Sequence, residues 1–151
     1  MKVVRGQRGF TLIELLIVMT VLGILASIAL PTYRGLREQA QVSAAVGDIA
    51  ALQQEITEFS FINGRLPSDL NEIGRGGQVD PWGRAYQYLD HAGAPDASKR
   101  KDRFLVNVNS DYDLYSLGVD GASQPPFLPA ESRDDVVRAN DGGFVGLAEV
   151  F

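Results

Sequence analysis

The sequence predicts an α+β fold in which one long N-terminal helix packs on a small antiparallel sheet. Residues 10–30 form an apolar run, residues 32–62 have the spacing of an amphipathic helix, and short alternating segments follow in the C-terminal half. A chain of 151 residues leaves room for one small folded domain after a helix of this length.

The apolar run has the length of a transmembrane helix. Its 21 residues contain one ionisable side chain, Glu14, and at 1.5 Å per residue they span about 30 Å. The apolar region of a secretory signal peptide is shorter, about 7–15 residues. We therefore expect a transmembrane helix over residues 10–31. Lys2, Arg5 and Arg8 precede it, which favours an N-terminus inside the cell and the bulk of the chain outside.

Glu14 places a carboxylate where hydrocarbon is expected, which is unfavourable unless the charge is satisfied. The side chain could reach the membrane interface, but a cationic partner would satisfy it better, and the run contains no Lys or Arg. If the chain were cut after Gly9, Phe10 would carry a new ammonium group. Glu14 of one copy could then pair with the Phe10 amine of a neighbour, which predicts lateral packing of many such helices.

The helix is expected to continue beyond the apolar run as an amphipathic half over residues 32–62. Pro31 lacks a backbone donor and should kink it. Apolar residues then recur at spacings of three and four, and Asn63 and Gly64 suit a helix end. The predicted apolar stripe consists of Val46, Ile49, Leu52, Ile56 and Phe59.

Residues 63–151 are expected to form a globular α/β domain with a three-stranded sheet and an acidic loop. The strand candidates are residues 85–89, 103–108 and 113–117. The basic residues 99–103 are expected to lie in a solvated loop or, alternatively, to meet an acidic patch on a neighbouring copy.

Composition excludes several functional classes. The formal net charge of −5 argues against nucleic-acid binding, which needs a basic face. The chain has no cysteine, so it has no disulfide and no cysteine metal site. His91 is the only histidine, and no Gly-x-Ser-x-Gly motif accompanies it. We therefore expect no enzymatic activity.

The acidic loop is the best candidate for a ligand site. Asp120 begins it, and Ser132, Asp134 and Asp135 lie at its end. Calcium takes six to eight oxygen ligands, both carboxylate and backbone carbonyl. Two acidic clusters joined by a loop could hold one ion, although the alternative is a solvated loop without one.

The stretch from Arg8 to Val18, Arg-Gly-Phe-Thr-Leu-Ile-Glu-Leu-Leu-Ile-Val, resembles the type IV pilin and type II secretion pseudopilin superfamily. The resemblance implies a pilin-like fold and a leader peptide over residues 1–9. A prepilin peptidase would cut after Gly9 and methylate Phe10. It also implies that Glu14 recruits subunits and that Pro31 is a helix-kinking proline.

Residues 63–67, 80–88 and 113–121 are similar to the major pseudopilins of type II secretion. This similarity implies a homopolymer, with minor pseudopilins and an inner-membrane assembly platform as partners. The fibre would stand in the periplasm and drive protein export across the outer membrane. The segment between Pro67 and Asp80 is shorter than that family suggests, and the chain end lacks an expected Asn-Trp.

The same similarity implies a calcium ion bound by Asp120, Asp135 and the Leu117 carbonyl, with Asp134 and Ser132 as adjacent candidates. The alternative within the superfamily is a type IV pilin or minor pilin of a surface filament for adhesion, motility or DNA uptake. The lack of a C-terminal disulfide pair favours the pseudopilin. Two other classes stay open: a membrane-anchored binding module that does not polymerise, and an anchored enzyme.

Overall fold

A computed structural model describes residues 9–127 and 129–151, which fall into two compact units divided between Glu38 and Gln39. The predicted leader, apart from Gly9, lies outside the described residues. The helix and the strands are α1 (Leu12–Asn63), β1 (Gln87–Asp90), β2 (Tyr112–Ser116), β3 (Val136–Ala139) and β4 (Phe144–Leu147). Short 3₁₀ turns occupy Asp96–Ser98, Ala130–Ser132, Asn140–Gly142 and Ala148–Val150.

The first unit contains the N-terminal part of α1. The large apolar side chains between Phe10 and Leu36 are all exposed, and α1 contains a stretch long and apolar enough to cross a membrane. The helix continues through Pro31, as expected. The Thr32 hydroxyl donates to the Ile28 carbonyl over 3.0 Å one turn back. The kink at Pro31 stays a prediction.

The C-terminal half of α1 supplies the helical side of the core in the second unit. Ile49, Leu52 and Ile56 are buried as the apolar spacing predicted, and Ala45 joins them one turn earlier. They pack with Tyr112, Leu114 and Val136 of the sheet, and with Tyr86 just before β1. The helix ends at Asn63, and Gly64 (φ 69°) donates its N–H to the Ser60 carbonyl over 2.8 Å. That left-handed glycine closes the helix.

The sheet has four antiparallel strands in the order β1-β2-β3-β4. β1 overlaps the strand predicted over residues 85–89, and β2 overlaps the one predicted over residues 113–117. Gln87 of β1 lies opposite Tyr115 of β2. β3 continues from the end of the acidic loop, with Val137 opposite Tyr115. The helix therefore packs on a small antiparallel sheet, as predicted.

Two predictions about the strands are wrong. The sheet has four strands rather than three, since residues 136–147 form the β3–β4 hairpin around Asn140–Gly142. Residues 103–108 are not a strand. Asp102 Oδ1 accepts the N–H groups of Phe104 and Val106, and this side chain competes with strand pairing by bending the backbone into a tight loop.

We predict that Leu114→Ala lowers the free energy of unfolding by about 2–5 kcal/mol, because Leu114 is fully buried between α1 and the sheet. Val150→Ala, at a residue 74% exposed, should change it by less than about 0.5 kcal/mol. Trp82, the only tryptophan, lies in the second unit, so its fluorescence during urea unfolding measures both variants. Equal stabilities would contradict the assigned core.

Candidate functional site

The predicted cleavage position is accessible. Gly9 and Phe10 are exposed and lie in irregular backbone ahead of α1. The Phe10 side chain is 86% exposed. A protease needs an accessible peptide bond, and the Gly9–Phe10 bond lies in exposed backbone ahead of α1, whereas the bonds from Leu12 onward lie within the helix.

Glu14 has a partner within its own chain that our reading of the sequence missed. Glu14 Oε2 accepts the Thr11 backbone N–H over 2.9 Å and the Thr11 hydroxyl over 2.8 Å. The Glu14 N–H donates back to Thr11 Oγ1 over 3.3 Å. This is a capping box, and Thr-x-x-Glu before an apolar run is its sequence signal. Glu14 therefore satisfies free donors at the start of α1 in the uncut chain.

The structure brings the two ends of the acidic loop together. Asp134 Oδ2 accepts the backbone N–H groups of Val119 over 2.7 Å and Asp120 over 3.0 Å. Gly118 (φ 61°) lies so close that a Cβ there would stand 2.3 Å from the Asp134 carbonyl oxygen. Only glycine fits that position, and the Asp120 side chain remains exposed.

Asp135 is fully buried beneath the loop. Its Oδ2 accepts from Arg100 Nη2 over 3.1 Å and from the Ser123 hydroxyl. Its Oδ1 has no hydrogen-bond partner in the described structure. Burial raises the pKa of Asp135 to about 7, since the hydrogen bond from Ser123 and the charge of Arg100 offset the desolvation only in part. One oxygen of a buried carboxylate thus stays available.

Ser132, considered above as an adjacent candidate for a calcium ligand, makes a structural contact within the loop instead. The residue is buried, and its Oγ accepts the Gln124 N–H over 2.8 Å and donates to the Gln124 carbonyl over 3.0 Å. These two bonds pin one side of the loop to the other. The Ser132 hydroxyl is therefore committed to a structural contact.

Two arginines from outside the loop also hold it. Arg84 Nη1 donates to the Gly118 carbonyl over 2.5 Å and Nη2 to the Val119 carbonyl over 3.2 Å. Arg100 donates to the Gln124 carbonyl and the Ser123 hydroxyl in addition to Asp135.

Arg100 is only 3% exposed, so the expectation of a solvated loop over residues 99–103 is wrong at this position. Its guanidinium lies 3.8 Å from the centre of the Tyr115 ring. Such a contact stabilises a cation away from water. No local sequence signal separates Arg100 from its basic neighbours, because its carboxylate partner lies 35 residues further along the chain.

The donor types around the loop fit a hard cation. Among the described residues, Asp135 Oδ1 has no hydrogen-bond partner and the Leu117 carbonyl accepts only the Gly121 N–H, over 3.1 Å. The Asp120 side chain is exposed. Carboxylate and carbonyl oxygens are the ligands that calcium prefers. Over residues 9–127 and 129–151, however, no three acidic or histidine side chains are grouped as metal ligands.

Comparisons with known proteins identify the relatives of the chain. Residues 4–30 match the family description "Prokaryotic N-terminal methylation motif". The chain is 34% identical to type II secretion system core protein G of Pseudomonas aeruginosa over 78% of this chain and 87% of that protein. It is 31% identical to the protein of the same name from Vibrio cholerae, over 80% of this chain and 86% of that one.

A fimbrial protein of Neisseria meningitidis is 38% identical, but only over 56% of this chain and 49% of its own length. No solved structure matches the chain. The similarity to core protein G extends beyond the apolar helix into the folded unit, whereas the similarity to the fimbrial protein covers about half of either chain. The chain therefore belongs to the type II secretion system core protein G family and is a structural subunit of a type II secretion pseudopilus.

Proposed function

We propose that this chain polymerises into a short periplasmic fibre whose growth drives folded proteins across the outer membrane. The observation that carries the proposal is the similarity to core protein G over most of the chain. The methylation motif over residues 4–30 also supports it. The exposed apolar part of α1 supports it, because such a surface needs lipid or other helices to cover it.

Before assembly, the chain would wait in the inner membrane as a single-pass protein. The N-terminus would lie in the cytoplasm, since Lys2, Arg5 and Arg8 precede the apolar run. The C-terminal folded unit would lie in the periplasm. A prepilin peptidase would cut after Gly9 and methylate Phe10, which the methylation motif supports.

Cleavage would give Glu14 a second partner. In the uncut chain the carboxylate caps its own helix through Thr11. The new Phe10 amine would lie four residues before it, on every copy. Pairing between Glu14 of one copy and Phe10 of the next would neutralise both charges in the fibre core and fix the stagger between helices. Pro31 would kink the helices that form this core.

The remaining partners follow from the same proposal. Minor pseudopilins would join the fibre, an inner-membrane assembly platform would add subunits, and a cytoplasmic ATPase would supply energy. A type IV pilin or minor pilin is the alternative, and the partial similarity to a fimbrial protein favours it less than the longer similarity to core protein G.

The role we propose is structural rather than catalytic. His91 is 8% exposed, and its Nε2 lies 2.9 Å from Asp113 Oδ2. Asp113 is itself 1% exposed and accepts the Arg100 N–H over 2.7 Å. The pair is enclosed by the fold, so it offers no proton acceptor to a substrate.

We also propose a structural calcium ion at the acidic loop. Asp120, Asp135 through Oδ1 and the Leu117 carbonyl would hold it, and it would tie the loop to the start of β3. The buried, unpartnered Asp135 oxygen supports this proposal. Asp134 and Ser132 already accept backbone N–H groups, so they would contribute less.

Gly9→Leu should block maturation, because a bulky side chain replaces the glycine at the cleavage position. Mass spectrometry of protein isolated from its host should show uncut chain for Gly9→Leu and a methylated chain beginning at Phe10 for the unsubstituted protein. Gly23→Leu, a glycine within the helix with open space around it, is the control and should be cut normally. A mature Gly9→Leu product would refute the leader assignment.

Glu14→Ala should still insert into the membrane but give few fibres by electron microscopy. Glu14→Gln separates the two roles of the side chain, since glutamine serves in a capping box but carries no charge. We expect it to fail as Glu14→Ala does, while Glu38→Ala, at an exposed acid outside the apolar run, assembles normally. Normal fibres from Glu14→Gln would show that helix capping, not charge pairing, is what assembly requires.

Calcium should raise the melting temperature of the detergent-solubilised chain relative to the same chain in chelator. Binding to the folded state alone adds about 2.7 kcal/mol at a hundredfold excess over Kd. Asp120→Asn should remove the gain, and Glu149→Gln, at another exposed acid, should keep it. No shift at saturating calcium would eliminate the ion site without affecting the fibre proposal.

A further inference from the structure

The loop at residues 101–107 presents three consecutive apolar side chains to solvent. Phe104, Leu105 and Val106 are 73%, 64% and 60% exposed. We call these three residues the tip. A contiguous exposed apolar patch on a folded domain marks a contact surface more often than chance.

The tip is held rigidly. The Leu105 N–H donates to the Asp102 carbonyl over 3.1 Å, and the Asp102 N–H donates to the Val106 carbonyl over 2.8 Å. Asp102 Oδ1 accepts two further N–H groups, from Phe104 and Val106. Leu105 itself lies at φ 62°, a conformation that is unfavourable for a residue with a branched side chain.

The base of the loop is fixed as well. The Lys101 N–H donates to the Pro125 carbonyl over 2.9 Å, and the Phe127 N–H donates to the Lys101 carbonyl over 3.1 Å. Lys101 Nζ pairs with Asp96 over 2.6 Å. A surface that is already ordered loses little conformational entropy on binding, so the tip is prepared for a partner.

A shallow, open groove with both polar and apolar lining lies at the C-terminal end of α1. It has a volume of about 580 Å³, and its apolar lining includes Phe59, Ile62 and Ile73. Ile62 is 71% exposed.

Opposite charges stand beside the tip and the groove. Arg103, exposed next to the tip, lies over the Phe104 ring at 5.2 Å and forms no salt bridge within the described residues. Glu58 lines the groove, is exposed and likewise has no ion-pair partner in the part of the chain that the structure describes. Its neighbour Glu55 is already paired with Arg75.

We propose that the tip of one copy seats in the groove of the next copy in the fibre, with Arg103 pairing with Glu58. The inference rests on the proposed polymerisation of the chain. Tip and groove are different surfaces of one chain, so each copy offers one of each. Such a head-to-tail contact repeats without closing and generates a helical filament. If the tip instead bound an exported protein or a lipid surface, the groove and Glu58 would take no part in the contact.

Charge reversal tests the pairing in the full-length chain in its host, with fibre yield as the readout. Arg103→Glu and Glu58→Arg should each reduce the yield about tenfold, because like charges then face each other across the contact. The double variant should restore most of it. Arg133→Glu, at another exposed arginine, should have little effect. Additive losses in the double variant would overturn the pairing.

Cysteine cross-linking tests the contact itself, since the chain has no cysteine of its own. Oxidised fibres of the Leu105→Cys, Ile62→Cys double variant should give a ladder of covalent multimers, because a disulfide forms only between Cα atoms within about 7 Å. Leu105→Cys with Val119→Cys is the control and should give no ladder. Dimers linked through position 105 of both copies would overturn the proposal. A disulfide between Leu105→Cys and another protein, or no cross-link at all, would also overturn it.

The two proposals fail separately. If Glu14→Ala abolishes fibres, while Arg103→Glu leaves the fibre yield unchanged and the double cysteine variant gives no cross-link, polymerisation is supported and the tip contact is refuted. If the unsubstituted chain forms no fibres in its host, polymerisation itself is refuted, and the tip contact is refuted with it.

Discussion

The N-terminal half of the chain must satisfy one carboxylate that lies within a membrane-length apolar segment, and this constraint governs the start of α1. Glu14 is the only ionisable side chain among residues 10–30, and a charge there is unfavourable without a partner. The structure provides one in Thr11, whose N–H and hydroxyl both donate to Glu14. That local solution stabilises the start of α1 while the chain is a monomer. Under the proposed cleavage after Gly9, the same carboxylate would lie four residues from the new Phe10 amine.

Two buried arginines of the folded unit each pair with a carboxylate. Arg138 is 4% exposed, bonds Asp111 through both terminal nitrogens over 2.8 Å, and lies 3.9 Å from the centre of the Tyr112 ring. Arg100 and Asp135 form a second pair. A chain without disulfides thus fixes its sheet with guanidinium groups that each bond several acceptors. Removing one partner of such a pair is far more costly than the pair itself is stabilising.

Much of the fold follows from local patterns. The length of α1, its end at Asn63 and the burial of Ile49, Leu52 and Ile56 all follow from periodicity and from a glycine cap. The alternation over residues 103–108 resembles a strand, but the Asp102 side chain takes two of the backbone donors that a strand would use. β3 and β4 are four residues each, too short for alternation to be distinctive. Asn140-Asp141-Gly142 is the turn signal that could have revealed them.

The candidate site was predictable only in part. The two acidic clusters are visible in the sequence, and the structure places Asp134 against Val119 and Asp120. The arginines that hold the loop come from positions 84 and 100. Their hydrogen-bond partners lie 23 to 35 residues away, so only the folded topology brings them together.

The close approach of Gly118 to the Asp134 carbonyl has a consequence for how this chain can vary. Beside it, the Val119 and Asp120 N–H groups donate to Asp134 Oδ2, and these bonds join the two stems of the loop before the intervening residues begin. Lengthening a loop whose stems are already joined adds little closure entropy, about 0.6 kcal/mol per doubling. Insertions between these stems can therefore accumulate among relatives without shifting the register of β2 against β3, which makes this loop a natural place for lineages to diverge in surface character.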